Sequence, residues 1–87
     1  MGEPQEIKEI RELRTIIGEI FYKSGMDHGN LDTALQEEAQ VLRNMQRMPR
    51  AEFNNVVDYL RYNASKYNAH EAREHLQMLT TSNLTQN

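Results

Sequence analysis

The 87-residue chain has no cysteine, which excludes disulfides, thiolate nucleophiles and cysteine metal sites and favours a reducing compartment. Glycine occurs four times, at Gly2, Gly18, Gly25 and Gly29, never in the spacing of a phosphate-binding loop. Long apolar runs are absent too: none approaches the ~18 residues that span a bilayer, and the first residues are acidic, unlike a signal peptide. The expectation is a cytoplasmic protein without a membrane span, in which the Asn63-Ala64-Ser65 and Asn83-Leu84-Thr85 sequons are incidental. Two-residue alternation of apolar and polar residues occurs nowhere, so no strand is expected. The apolar fraction is 38% and the mean hydropathy -0.83. At this length folding buries only about 60% of the chain's surface, so the core is small.

What is present is helical periodicity. Ile7, Ile10, Leu13, Ile16, Ile17, Ile20 and Phe21 recur every three or four residues, which predicts a helix over about 4–24. Pro4 suits its first turn and Gly25 its left-handed C-terminal cap, with Met26 packing back on the last turn. Gly18, inside that helix, suggests close approach of another helix. A second helix is expected at 31–47, capped by Asn30 or Asp32, with Leu31, Ala34, Leu35, Val41, Leu42, Met45 and Met48 inward. Pro49 ends it and opens a third at 49–67, whose inward face is Phe53, Val56, Val57, Leu60, Ala64 and Tyr67. Asn68-x-x-Glu71 has the form of a capping box and starts a short helix over 69–80, leaving a frayed tail at 81–87. Short connections make neighbours antiparallel, so the fold expected is all-α. It is a single domain, a small antiparallel bundle of three long helices plus a short C-terminal one.

Most chemical motifs fail on spacing. His70 and His75 in "HEAREH" are five residues apart, about 140° around a helix, whereas a zinc-hydrolase pair sits about 40° apart. In "DHGNLDTALQEE", Gly29 and Leu31 replace two calcium ligands and Asp32 stands where the turn glycine belongs. Ser24, Ser65 and Ser82 have no His–acid arrangement close in sequence. Glu37/Glu38 and Glu71/Glu74 read as solvated helix surface. No catalytic residue, cofactor or metal is expected.

Charge is uneven. Residues 1–42 carry nine acids and four bases, residues 43–87 four acids and six bases. In "RNMQRMPRAEF", Arg43, Arg47 and Arg50 cluster without an acid at helical spacing from Arg43 or Arg47, and the like charges of Arg43 and Arg47 at i,i+4 cost a few tenths of a kcal/mol. Either acids of the first helix (Glu6, Glu9, Glu12) fold against them, or Arg43, Arg47 and Arg50 with Met45 and Met48 receive a protein partner with an acidic surface. The wide apolar stripe of the first helix, in particular Ile10, Leu13, Ile17 and Ile20, either belongs wholly to the core or leaves surface for self-association as a homodimer or for a partner helix. The leading expectation is a non-catalytic protein–protein interaction module, a small bacterial or phage regulator, inhibitor or adaptor. The alternative is a nucleic-acid-binding regulator in which the second and third helices form a helix-turn-helix presenting Arg50, Asn54, Asn55 and Arg61. Asp58 on the same stripe, a connecting turn without glycine and a net charge of -3 weigh against it. "NVVDYLRYNASKYNAHEAREHLQML", under a third of the chain, loosely resembles the third-to-fourth helix passage of the helical-bundle immunity proteins of pediocin-like bacteriocin producers. The resemblance lies in the spacing of apolar residues and tyrosines, and those proteins too are small, cysteine-free and cytosolic. It involves no diagnostic motif, lysine is scarce here, and no site residue is carried over.

Overall fold

The computed structural model describes residues 5–81, apart from the side chains of residues 5–7 and 10. It is an all-α bundle. Helix α1 runs Gln5–His28, α2 Leu31–Arg47, α3 Arg50–Asp58 and α4 Ala69–Thr81. The chain is longest-ranged at its start: α1 packs on both α2 and α4, α2 also touches α4, and α3 leans on α4. Leu13, Ile17 and Phe21 from α1 meet Ala34, Val41 and Met45 from α2, Phe53, Val56 and Val57 from α3, and Leu76 from α4 in one buried cluster. The tail expected beyond Thr81 lies outside the described residues.

The end of α1 differs from the sequence expectation by one turn. Gly25 is helical and buried, and Met26 points to solvent. The left-handed residue is Gly29, at φ 67°, and the Asn30 N–H donates to the Gly25 carbonyl at 2.9 Å, the six-to-one bond of a Schellman ending. Gly25 serves packing instead: a Cβ there would stand 2.8 Å from Leu31 Cα, so α2 crosses directly over it. Close approach therefore occurs at Gly25 and not at Gly18, where only the Glu38 carboxylate lies near.

The third helix is the second departure. It does not continue to Tyr67; after Asp58 it widens into a π-turn at Tyr59–Asn63 and then tightens into a 3-10 turn at Ala64–Lys66. The Ala64 N–H reaches back five residues to the Tyr59 carbonyl. One extra residue in a turn rotates everything after it by about 100°. Phe53, Val56, Val57, Leu60 and Ala64 remain buried as their spacing predicts, but Tyr67, next on that stripe, swings out and is 44% exposed. The third helical segment of the bundle thus runs on to Lys66, but with a change of pitch after Asp58. On α2, Leu35 also faces solvent, because the stripe that meets α1 and α4 runs through Ala34, Val41 and Met45.

The capping box at α4 forms as the sequence predicts. Glu71 N–H donates to Asn68 Oδ1 at 2.8 Å, and Asn68 N–H donates to Glu71 Oε1 at 3.2 Å. Replacing Asn68 by alanine is expected to lower stability by about 1 kcal/mol, measured by urea unfolding, with little change in the slope of the transition.

Candidate functional site

The buried polar centre is Arg73, on the inward side of α4 beside Ala72 and Leu76 and only 4% exposed. Its guanidinium donates to Glu37 of α2 through Nε at 2.9 Å and approaches the same Oε1 through Nη2 at 2.7 Å. Its Nη1 donates to Ser24 Oγ of α1 at 3.1 Å and to Asn30 Oδ1 of the α1–α2 turn at 3.3 Å. The guanidinium also lies 5.9 Å from the centre of the Phe21 ring. One side chain of α4 therefore ties together α1, the turn and α2. Asn30 is the residue before α2, but its side chain serves Arg73 and makes no capping bond.

The network continues outward. Ser24 Oγ lies 3.2 Å from His70 Nδ1. Arginine can only donate, so the serine oxygen accepts from Arg73, and the same hydroxyl also bonds the His70 ring. On the other side of the ring, His70 Nε2 sits 3.5 Å from Glu74 Oε2. The His28 ring packs against His70 with centroids 4.1 Å apart. Serine, histidine and carboxylate in series resemble a nucleophilic triad that no local spacing could reveal. Its serine, however, is wholly buried and its oxygen is held by Arg73, so no substrate carbonyl has a path to it. What the bonds of Arg73 do is brace α4 against α1, the α1–α2 turn and α2.

Beside this network lies an open cleft of about 620 Å³ between the second half of α1 and the segment from the π-turn into α4. Its floor is aliphatic: Ile16, Ile20, Leu60, Ala64 and Ala72. Glu19, Lys23, Asp27 and Glu71 stand among its lining residues and are solvent-exposed, with His28 and His70 at one end. A second hollow, about 450 Å³, is lined by Tyr59, Tyr67, His75, Met78 and Leu79. There the Tyr59 hydroxyl lies 2.9 Å from His75 Nδ1, and the rings of Tyr67 and His75 meet edge-on at 4.7 Å. Burial, and after it the neighbouring Tyr67 and Glu71, push the Tyr59 hydroxyl above its ordinary range. His70 and His75 face different hollows, as their five-residue spacing requires. Among the described residues no group of three His, Cys, Asp or Glu could hold a metal ion.

The basic corner divides. Arg50 is drawn back to the bundle: its Nη2 meets Glu9 Oε1 at 3.0 Å and its guanidinium lies 5.2 Å from the centre of the Phe53 ring. Glu9 is thus the acid of the first helix that the charge asymmetry called for. Arg43 donates to Gln40 at 3.1 Å, and neither Arg43 nor Arg47 has an acid within ion-pair distance among the described residues. Met45 and Met48 are corrections: both are buried in the core, because the α2 stripe that carries Ala34 and Val41 carries them as well. The self-association stripe is corrected in the same way, since Leu13 and Ile17 are inside the bundle, covered by α2 and α4. Ile20 is half-buried at the cleft, and the side chain of Ile10 lies outside the described residues. Asn54, Asn55 and Arg61 are exposed on the far side of α3 and the π-turn.

Sequence reasoning missed Arg73, the cleft and the aromatic hollow. A signal existed for the first. Ser24 falls seven residues after Ile17 and Arg73 three before Leu76, so both polar residues stand on otherwise apolar stripes. No family model matches the chain, and no curated protein or solved structure is significantly similar to it.

Proposed function

We propose that the chain is a non-catalytic protein-interaction module, a small regulator, inhibitor or adaptor that binds a protein partner or a second copy of itself. The observation that carries this reading is the set of large apolar side chains left outside a core that is already closed. Tyr62 is 66% and Met78 65% exposed, and Tyr22, Met26, Leu35 and Tyr67 are also exposed. Among the described residues no buried side-chain donor or acceptor lacks a partner, so the fold itself asks for nothing more. Tyrosine, methionine and arginine are residue types enriched at protein interfaces. Tyr22 and Met26 share a stripe of α1 at i,i+4, and both are exposed. This is the surface open to a second copy, in place of the buried Leu13 and Ile17. Arg43 and Arg47 remain available to an acidic partner.

Nucleic acid is the second reading, because Asn54, Asn55 and Arg61 are exposed as a groove-reading face requires. It has lost Arg50 to Glu9. A photo-crosslinking phenylalanine placed at Tyr22 or Tyr62 in cells that make the protein is expected to give a discrete protein adduct, and at Asn54 none. Duplex-DNA binding that weakens steeply with salt and disappears in Arg43/Arg47/Arg50→Ala would overturn the leading reading.

A further inference from the structure

The cleft beside the Arg73 network is the surface whose occupant can be specified. On α1 its residues Ile16, Ile20, Lys23 and Asp27 follow i, i+4, i+7, i+11, one continuous stripe. Across from them stand Leu60 and Ala64, then the first turn of α4. The break of the third helix into π- and 3-10 turns forms this opposite wall. The volume of about 620 Å³ falls in the ~300–1,000 Å³ range of ligand sites. Its reach along α1, from Ile16 to His28, is about 18 Å, the length of three turns of a helix. That is longer than a compact metabolite needs and suits a helix laid lengthwise into a groove.

Charge specifies the rest. Glu19, Asp27 and Glu71 are the acids of the lining and Lys23 is its lysine, three carboxylates against one ammonium. Glu71 gives one oxygen to the Asn68 N–H, but its charge remains. Glu19 and Asp27 have no ion-pair partner among the described residues. An aliphatic floor under an acidic rim is complementary to a helix with leucine-like residues on one face and lysine or arginine on its flanks.

We propose that this cleft, lined by Ile16, Ile20, Leu60 and Ala64 under the Glu19, Asp27 and Glu71 carboxylates, binds a basic amphipathic helix of a partner protein. The assignment rests on the protein-interaction reading above and gives its partner a chemistry. It also separates two roles: the cleft takes a basic partner segment, whereas Arg43 and Arg47 on the outer face of α2 suit an acidic one.

The probe is a fluorescein-labelled 14-residue peptide of leucine and lysine in helical spacing, compared with its leucine–glutamate counterpart and a sequence-scrambled leucine–lysine control. Binding is followed by anisotropy and mapped by amide chemical shifts on the full chain. The leucine–lysine helix is expected to bind at least tenfold more tightly than either control, with shifts gathered over 16–28 and 60–72. Glu19→Lys with Asp27→Lys, both exposed, should leave the circular dichroism unchanged and weaken binding at least tenfold. Arg43→Ala with Arg47→Ala should leave it as it was. Three results overturn the proposal: no preference over the scrambled peptide, binding indifferent to the charge reversal, or shifts centred elsewhere. Shifts centred on Tyr22 and Met26, or on Tyr62 and Met78, would overturn the cleft and leave the interaction reading standing. Failure of that reading shows separately, as DNA binding lost with the three arginines.

Discussion

Arg73→Ala is expected to destabilise the protein by about 3 kcal/mol or more, the range in which removing one partner of a buried ion pair falls. The substitution strips Glu37 of its cation, Ser24 of a donor and Asn30 of its partner at once, because all three meet the same guanidinium. The Glu37 side chain is 32% exposed, so water compensates in part and the lower end of the range applies. At about 4–8 °C per kcal/mol for a domain of this size, the thermal midpoint should fall by more than ~12 °C. Glu37→Gln keeps an acceptor and should cost only about 1–2 kcal/mol. Arg73→Met combined with Glu37→Met, which removes both charges and keeps the volume, should recover much of the loss. Denaturation followed by circular dichroism distinguishes these outcomes. If Arg73→Ala costs less than about 1 kcal/mol, the guanidinium is solvated and the centre does not brace the fold.

That centre also marks where sequence reading stops. The all-helical fold was legible because each helix carries an apolar stripe, and the stripes through Ile17 and Phe21, Val41 and Met45, and Phe53 and Val57 all face the core. The Asn68–Glu71 box was legible because both of its bonds lie within four residues. Arg73 to Ser24 is a contact across 49 residues, and no local pattern encodes it. Polar residues on apolar stripes signal that some such contact exists without naming its members. The break after Asp58 was hidden for the opposite reason. The apolar spacing through Ala64 fits a straight helix, and the switch to π-geometry shows only in the backbone bonds of Tyr59–Asn63. The cleft takes its far wall from that break, and so it was invisible. The basic corner was half legible: the charge asymmetry pointed to a first-helix acid for the arginines, and Arg50 found Glu9. Arg43 and Arg47, on the outer face of α2, lie too far around the helix to follow.

Gly25 and Gly18 sit in one helix, and alanine at the two positions should act in opposite directions. In an exposed helix interior, glycine to alanine gains about 1 kcal/mol of propensity. At position 18 the new methyl would stand 3.4 Å from Glu38 Oε2, the end of a side chain that can move, so most of the gain should survive. Burial already pushes the Glu38 carboxyl up, with Arg14 pulling it back. A methyl group there displaces more water and raises it further. A raised acid stabilises the fold while protonated, so the advantage of Gly18→Ala should be fullest in acid and shrink as pH rises through the Glu38 titration. At position 25 the methyl would stand 2.8 Å from Leu31 Cα and 2.9 Å from Ala34 Cβ. The first is main chain in the opening turn of α2, which can yield only if the two helices separate. Overpacking of this kind costs about 1–3 kcal/mol, and separation would also stretch the bonds from Arg73 to Ser24 and Glu37. Gly25→Ala should therefore be destabilising in spite of its helix propensity, and Gly25→Val more so, both read as urea midpoints beside Gly18→Ala. Should Gly25→Ala raise the midpoint as Gly18→Ala does, α2 does not cross α1 at Gly25.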